Sequence, residues 1–343
     1  MEMFSTRYIY GDNRCIKFIT NDYILRVRLE NEYKTYFLFR NEKINEPRIK
    51  IYAIKNKNCY TSINKSSNIN LPLIKDNGKF MIIKKNENKV IIFYEEYNDS
   101  ILEYIGEVIF SIFNYFLEQE GYIFFHAACV SIKDKAVAII GGRHTGKSSI
   151  LCCLLQSDFD FICNSKLAMK LENNYIKCIG TPSRVGIRLE TLIKNINKKY
   201  YKQIVKTEGF KKISYIYDMN RKKQELKNVD FLNIYGDLKF NITVPEIQNI
   251  FNVSIIKEAN LKLVIIPRYD VHLEKIKVKK LAIKEVEKVL IKNQENGIYA
   301  PIKYLNNFFY IKTNKIDMQI LKKIQFIEIY QNERTASQLR RVN

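Results

Sequence analysis

Eight consecutive residues, Gly141-Gly142-Arg143-His144-Thr145-Gly146-Lys147-Ser148, satisfy the spacing G-x-x-x-x-G-K-[ST] in full. Their types meet the demands of a polyphosphate. Glycines let the backbone turn until successive N–H groups converge on phosphate oxygens, and the positive end of a following helix adds to the attraction. Lys147 is then the cation that reaches the β- and γ-phosphates, and Ser148 the hydroxyl that ligates Mg²⁺. Ser149 continues the motif into the helix. Such a cradle takes a nucleoside triphosphate, with ATP and Mg²⁺ as the expected pair. The bland alternative is a glycine-rich turn that happens to contain a lysine, and the neighbouring residues argue against it.

For the loop to work, a strand must deliver it and a helix must leave it. Ala136 to Ile140 is an apolar strand, and Ser149 to Leu155, rich in Leu and Cys, reads as the helix. Upstream, the apolar run Tyr122 to Ile132 is joined to that strand by the polar turn Lys133-Asp134-Lys135, which predicts a hairpin or two neighbouring strands. Before it, Ile101, Ile105, Val108, Ile109, Ile112, Phe113 and Phe116 fall on one helical stripe. Ser100 and Glu103 stand at capping-box spacing, and Gly121 suits the position after the last turn. Residues 1–98 read as a β-rich N-terminal domain, with strands over Arg7–Tyr10, Tyr23–Val27 and Val90–Tyr94. Turn-formers such as Gly11-Asp12-Asn13 and Asp76-Asn77-Gly78 separate them. The expected organisation is therefore α/β, with this domain followed by a phosphate-loop nucleotide-binding domain over residues 99–343.

The loop alone does not say which class of nucleotide-binding protein this is. Asn314-Lys315-Ile316-Asp317 matches the N-K-x-D of GTPases, but no D-x-x-G follows the loop and the tetrapeptide lies too far downstream for a compact G domain. In a chain so rich in Asn and Lys it reads as coincidence. No glycine-rich signature of an ABC ATPase is present.

Three segments together carry a resemblance: Phe125-His126-Ala127-Ala128-Cys129-Val130, then Ala136 to Ser149, then Phe159-Asp160-Phe161-Ile162-Cys163-Asn164-Ser165. They look like the HPr kinase/phosphorylase-related family, whose nucleotide-binding fold is of the phosphoenolpyruvate-carboxykinase kind. Gly180 to Arg188 resembles that family's next apolar segment, and Leu261 to Arg268 with Leu281 to Ile291 its last core strand and helix. The resemblance covers roughly residues 100–295. It implies a mixed-sheet core and an ATP-dependent kinase-like activity. The chain looks like those members found with ribosomal peptide natural-product pathways, which implies a peptide or protein substrate or a partner subunit.

The sequence departs from that pattern at one place. Asn164-Ser165 stands where the family has paired aspartates. In the family those carboxylates coordinate Mg²⁺ and deprotonate the acceptor hydroxyl. Asn offers a neutral oxygen to a metal but cannot take a proton. Lys166 adds positive charge, and Asp158, Asp160, Glu172 and Asp218 are the acids that could compensate. In the family a His at the place of His126 lies on the strand beside the loop; it could contact phosphate or orient an acceptor, or could be a core histidine satisfied by backbone. Arg184 and Arg188 could clamp an anion, and a helix or strand surface explains them equally well. Two readings stay open: a kinase using His126, Asn164 and Ser165 at its catalytic centre, and a non-catalytic nucleotide-binding scaffold or accessory subunit.

Composition bounds the remainder. In 343 residues, 46% are hydrophobic and 27% charged, which is enough to bury a core and excludes wholesale disorder. Seven Cys without C-x-x-C spacing and only three His argue against a disulfide scaffold or a zinc site. Cys152 and Cys153, among apolar neighbours, read as core in a reducing cytosol, so a cytoplasmic location is expected. The formal charge of +21 favours anionic partners. The lysines are scattered, however, and no nucleic-acid-binding motif accompanies them, so no specific nucleic acid is expected. No signal peptide is read at the start, and Glu103, Glu107 and Asn114 interrupt the most apolar segment, Ile101 to Leu117, so no membrane span is expected. Oligomerisation is compatible with the sequence.

Overall fold

The computed structural model describes residues 2–10, 14–40, 47–56, 73–76, 79–86, 88–142, 144–181, 184–188, 191, 195–211, 239–270, 272–295 and 324–332. The turns expected at 11–13 and 77–78, Arg143, Asp218 and the N-K-x-D at 314–317 lie outside them. The chain forms two compact units, one built on Met1–Glu120 and the other on Gly121–Asn296 with the C-terminal strand.

The first unit contains β1 (Phe4–Tyr10), β2 (Arg14–Thr20), α1 (Tyr23–Tyr33), β3 (Leu38–Arg40), β4 (Ile49–Lys55), β5 (Leu73–Asp76), β6 (Lys79–Asn86), β7 (Lys89–Tyr94) and α2 (Asp99–Gln119). Its seven strands run in the order β3-β1-β2-β4-β7-β6-β5. The pairs β2/β4 and β4/β7 are parallel and the others antiparallel. The strand expected over Tyr23–Val27 is instead the start of α1. Its β-branched and aromatic residues are overruled by what surrounds them. The Asp22 side chain accepts a hydrogen bond from the Leu25 N–H at 3.1 Å, and Leu25, Leu29 and Tyr33 bury one face at four-residue spacing.

The expected stripe on α2 is buried, but the helix is capped by Asn98, whose side chain accepts from the Ile101 N–H at 2.8 Å, rather than by Ser100. Phe37 stacks on Phe110 and Phe113, with ring centroids 5.9 and 4.4 Å apart. By length and composition α2 could cross a membrane, and 72% of its most apolar window is buried within the structure. The polar interruptions therefore did not place this helix below the membrane threshold.

The second unit holds β8 (Ile123–Ile132), β9 (Lys135–Ile140), α3 (Lys147–Leu155), β10 (Asp160–Cys163), β11 (Lys166–Glu172), β12 (Tyr175–Gly180), β13 (Val185–Arg188) and α4 (Tyr201–Ile204). They are followed by β14 (Lys239–Ile242), α5 (Val244–Phe251), β15 (Glu258–Tyr269), β16 (Lys277–Lys280), α6 (Ile283–Lys292), β17 (Gln294–Glu295) and β18 (Gln325–Gln331). The hairpin β8–β9 turns on Lys133 and Asp134, both at positive φ, as a two-residue turn between twisted strands requires.

Nine strands form one mixed sheet, whose pairings close on themselves: β8 pairs β9, β9 pairs β15, β15 pairs β12, β12 pairs β11, and β11 returns to β8. β15 is parallel to both β9 and β18. Small side chains (Ala127, Cys129, Ala138, Cys163 and Cys178) fill much of the core between them, beside Phe125, Leu167 and Val264. Burial pushes the Cys129 and Cys163 thiols well up, so they pack as apolar groups. Cys152 and Cys153 are likewise buried and unbridged.

Candidate functional site

The phosphate loop lies where the sequence puts it, between the buried strand β9 and the first turn of α3. Gly146 is the N-cap of that helix at φ 94°, a left-handed conformation that glycine adopts without strain. No side chain caps the helix start, so its first amides face the loop without a side-chain acceptor. Thr145 Oγ1 donates to the Gly142 carbonyl at 3.0 Å and tightens the turn.

Lys147 is not the exposed cation that its place in a loop suggests. It is 9% exposed, and its Nζ donates at 2.7 Å to the carbonyls of both Gly141 and Gly142. The ammonium is folded across the loop's own backbone, and it holds the ring of peptide groups closed.

A cavity of about 720 Å³ opens over the loop. Gly146, Lys147, Ser148 and Ser149 line it with His126, His144, Asn164 and Ser165, so the expected site residues on three separate segments meet. The antiparallel ribbon β13–β14 contributes Arg188 and Lys239, which are register partners. His144 and Arg188 approach at 3.4 Å. Among the described residues the wall carries Lys147, Arg188, Lys239 and two histidines but no Asp or Glu. Such a wall favours a polyanion. Arg143 lies outside the described residues, and Arg184 is not on this wall.

The Asn164-Ser165 pair sits at the end of β10, beside His126. The Ala127 N–H donates to the Ser165 carbonyl at 3.3 Å, and Lys166 stands opposite His126 across β11 and β8. Asn164 Oδ1 is buried and accepts no hydrogen bond among the described residues. A neutral acceptor left open in the cavity that Ser148 also lines suits a divalent cation that arrives already bound to phosphates.

None of the three described acids expected to compensate is on the wall. Asp160 accepts from the Ser254 N–H at 2.8 Å, and Glu172, at the far end of β11, accepts from Tyr122 and Tyr175. Asp158 sits in a turn at φ 58°. The nearby carboxylate is Glu295. β17 pairs with β8 so that Glu295 lies opposite Phe124, two residues along the same face from His126. Its Oε1 is 3.3 Å from His126 Nδ1, and its Oε2 is 3.7 Å from the Nζ of buried Lys166. The charge that Lys166 brings is thus countered.

A second residue the sequence did not flag is Gln331, the last residue of β18. Its Nε2 donates to the carbonyls of Thr145 and Gly146, across a separation of 186 and 185 residues. Neither Glu295 nor Gln331 belongs to a local motif, and both reach the site only through strand pairing.

No protein-family model matches the sequence, and no curated protein is similar to it. Among solved structures, the HPr(Ser) kinase/phosphatase from Coxiella burnetii matches 61% of this chain and 85% of its own length, at 10% sequence identity and a TM-score of 0.26. A likeness of that depth transfers no activity. The fold stands as mixed α/β with mixed sheets.

Proposed function

We propose that this chain is a nucleoside-triphosphate-binding, kinase-like protein whose ligand is ATP with Mg²⁺. The observation that supports it most is the loop itself: a complete motif, delivered by a buried strand, with an uncapped helix start and Lys147 lying across the loop carbonyls. The cation-lined wall points the same way. Mg²⁺ would be held by the Ser148 hydroxyl and the open Asn164 Oδ1, with the nucleotide's phosphates completing its shell, and would supply neutralisation of their charge.

In the phosphoryl-transfer reading, Glu295 orients His126 with its ring proton on Nδ1, so that the Nε2 lone pair accepts the proton of an attacking hydroxyl. A histidine then does what a carboxylate does in the family the sequence resembles. That resemblance makes a peptide or protein hydroxyl the acceptor class to test first. The second reading, a nucleotide-binding scaffold or accessory subunit in peptide modification, is favoured by one observation: no carboxylate lines the cavity among the described residues.

Calorimetric titration of the full chain with ATP, with and without Mg²⁺, tests the proposal. Saturable binding of one nucleotide per chain is expected, and no heat under either condition refutes it. Release of labelled phosphate, or its transfer to a peptide, then separates the catalytic from the scaffold reading.

A further inference from the structure

The last described strand, β18, ends against the phosphate loop. Gln331 is 2% exposed, deep between β15 and the loop, and lines the cavity with Lys147 and Ser148. Its Nε2 donates to two successive loop carbonyls, Thr145 at 3.4 Å and Gly146 at 3.2 Å. These contacts fix which end of the amide is nitrogen, since the reverse orientation would set oxygen against two carbonyl oxygens. Oε1 is therefore held away from them, buried and without a hydrogen-bond partner among the described residues. An unsatisfied buried acceptor is costly enough to need an explanation.

We infer that Gln331 is a positioning residue for phosphate binding, with one end of its amide setting the loop and the other waiting for a donor that comes with the ligand. The inference rests on the nucleotide reading above. In a trans peptide the carbonyl and the following N–H lie in one plane and point in opposite directions. Holding the carbonyls of Thr145 and Gly146 therefore turns the N–H groups of Gly146 and Lys147 away from Gln331, toward the phosphate that the loop cradles. Gly146 is matched to this partner twice over. Its φ of 94° suits glycine, and any Cβ there would collide with Gln331 Nε2. The open Oε1 can accept from a water of the nucleotide's metal shell or from a ligand hydroxyl.

The test is calorimetric titration of the full chain with Mg·ATP and with inorganic triphosphate, for wild type, Gln331→Met and Gln331→Glu. Met keeps the length of the side chain and removes donor and acceptor. It should weaken both ligands by the same factor, about tenfold, as expected for one or two net hydrogen bonds. Glu cannot donate and adds negative charge beside the loop, so it should weaken both further. If Gln331→Met fails to fold, Gln331→Glu, nearly isosteric, carries the comparison. Unchanged affinity for both ligands in the variants overturns the inference while leaving the nucleotide reading intact. So does a loss confined to ATP, because Gln331 would then touch the nucleoside rather than set the loop. Absence of binding by wild type overturns the nucleotide reading and the inference with it.

Discussion

Replacing Lys147 by Ala removes the ammonium that bridges the carbonyls of Gly141 and Gly142 at 2.7 Å. Before desolvation is counted, a hydrogen bond in an apolar site is worth about 4–6 kcal/mol. Keeping the ammonium of this buried residue and the two carbonyls out of water cancels most of that sum. The difference leaves an apo-protein destabilisation of only about 0–2 kcal/mol, a shift of a few degrees in melting temperature for a unit of this size. With nucleotide present the balance changes. The same Nζ then faces phosphate charges at about 3 Å, where each pair contributes up to about 5 kcal/mol at an effective dielectric near 20, before the lost carbonyl contacts are subtracted. A net loss of about 3–4 kcal/mol corresponds to a 10²- to 10³-fold weaker Kd. Thermal melting should therefore show a small change without ATP, and the stabilisation that ATP gives wild type should be missing from the variant. If Lys147→Ala binds ATP within about threefold of wild type by calorimetry, the lysine is a structural clasp and the loop does not hold a triphosphate through it.

Asn164→Asp combined with Ser165→Asp should make ATP binding more dependent on Mg²⁺ and raise phosphate release, because charged oxygens would replace neutral ones on the cavity wall that Ser148 also lines; titrations with and without the metal, and a turnover assay, check this. Glu295→Gln should leave the ATP Kd nearly unchanged but lower turnover by about tenfold or more, since His126 would lose the charge that orients it, and equal turnover in the two proteins would remove His126 as the base. A pH effect should arise from buried Glu328 on β18. Burial alone raises its pKa, but hydrogen bonds from Arg268 and Tyr330 outweigh it and hold the carboxyl below the ordinary glutamate value. A pKa lower when folded gives stability that is present above the unfolded pKa and lost as pH falls through the folded one. Urea unfolding should show Glu328→Gln less stable at neutral pH and less sensitive to acid than wild type.

What the sequence determined by itself was whatever is contiguous along the chain. The phosphate loop, its strand and its helix occupy one unbroken stretch from Lys135 to Leu155, and local periodicity with glycine placement is enough to read them. The hairpin β8–β9 and the stripe of α2 were legible for the same reason. Where local signals competed, the reading failed. Tyr23 to Val27 has strand-like residues, yet Asp22 as N-cap and the apolar spacing beyond Val27 make it a helix. Tertiary structure alone decided the rest of the site. His126 and Asn164 could be named from their segments, but only the register of β8 against β11 and β17 sets Glu295 beside His126 and Lys166. Gln331 reaches the loop because β18 runs parallel to β15, which itself runs parallel to the strand that delivers the loop. Strand pairing between distant segments is fixed by burial of shared faces and leaves no local mark on a glutamine or a glutamate. The burial of Lys147 follows the same rule, because its exposure depends on what closes over the loop and not on the motif that contains it.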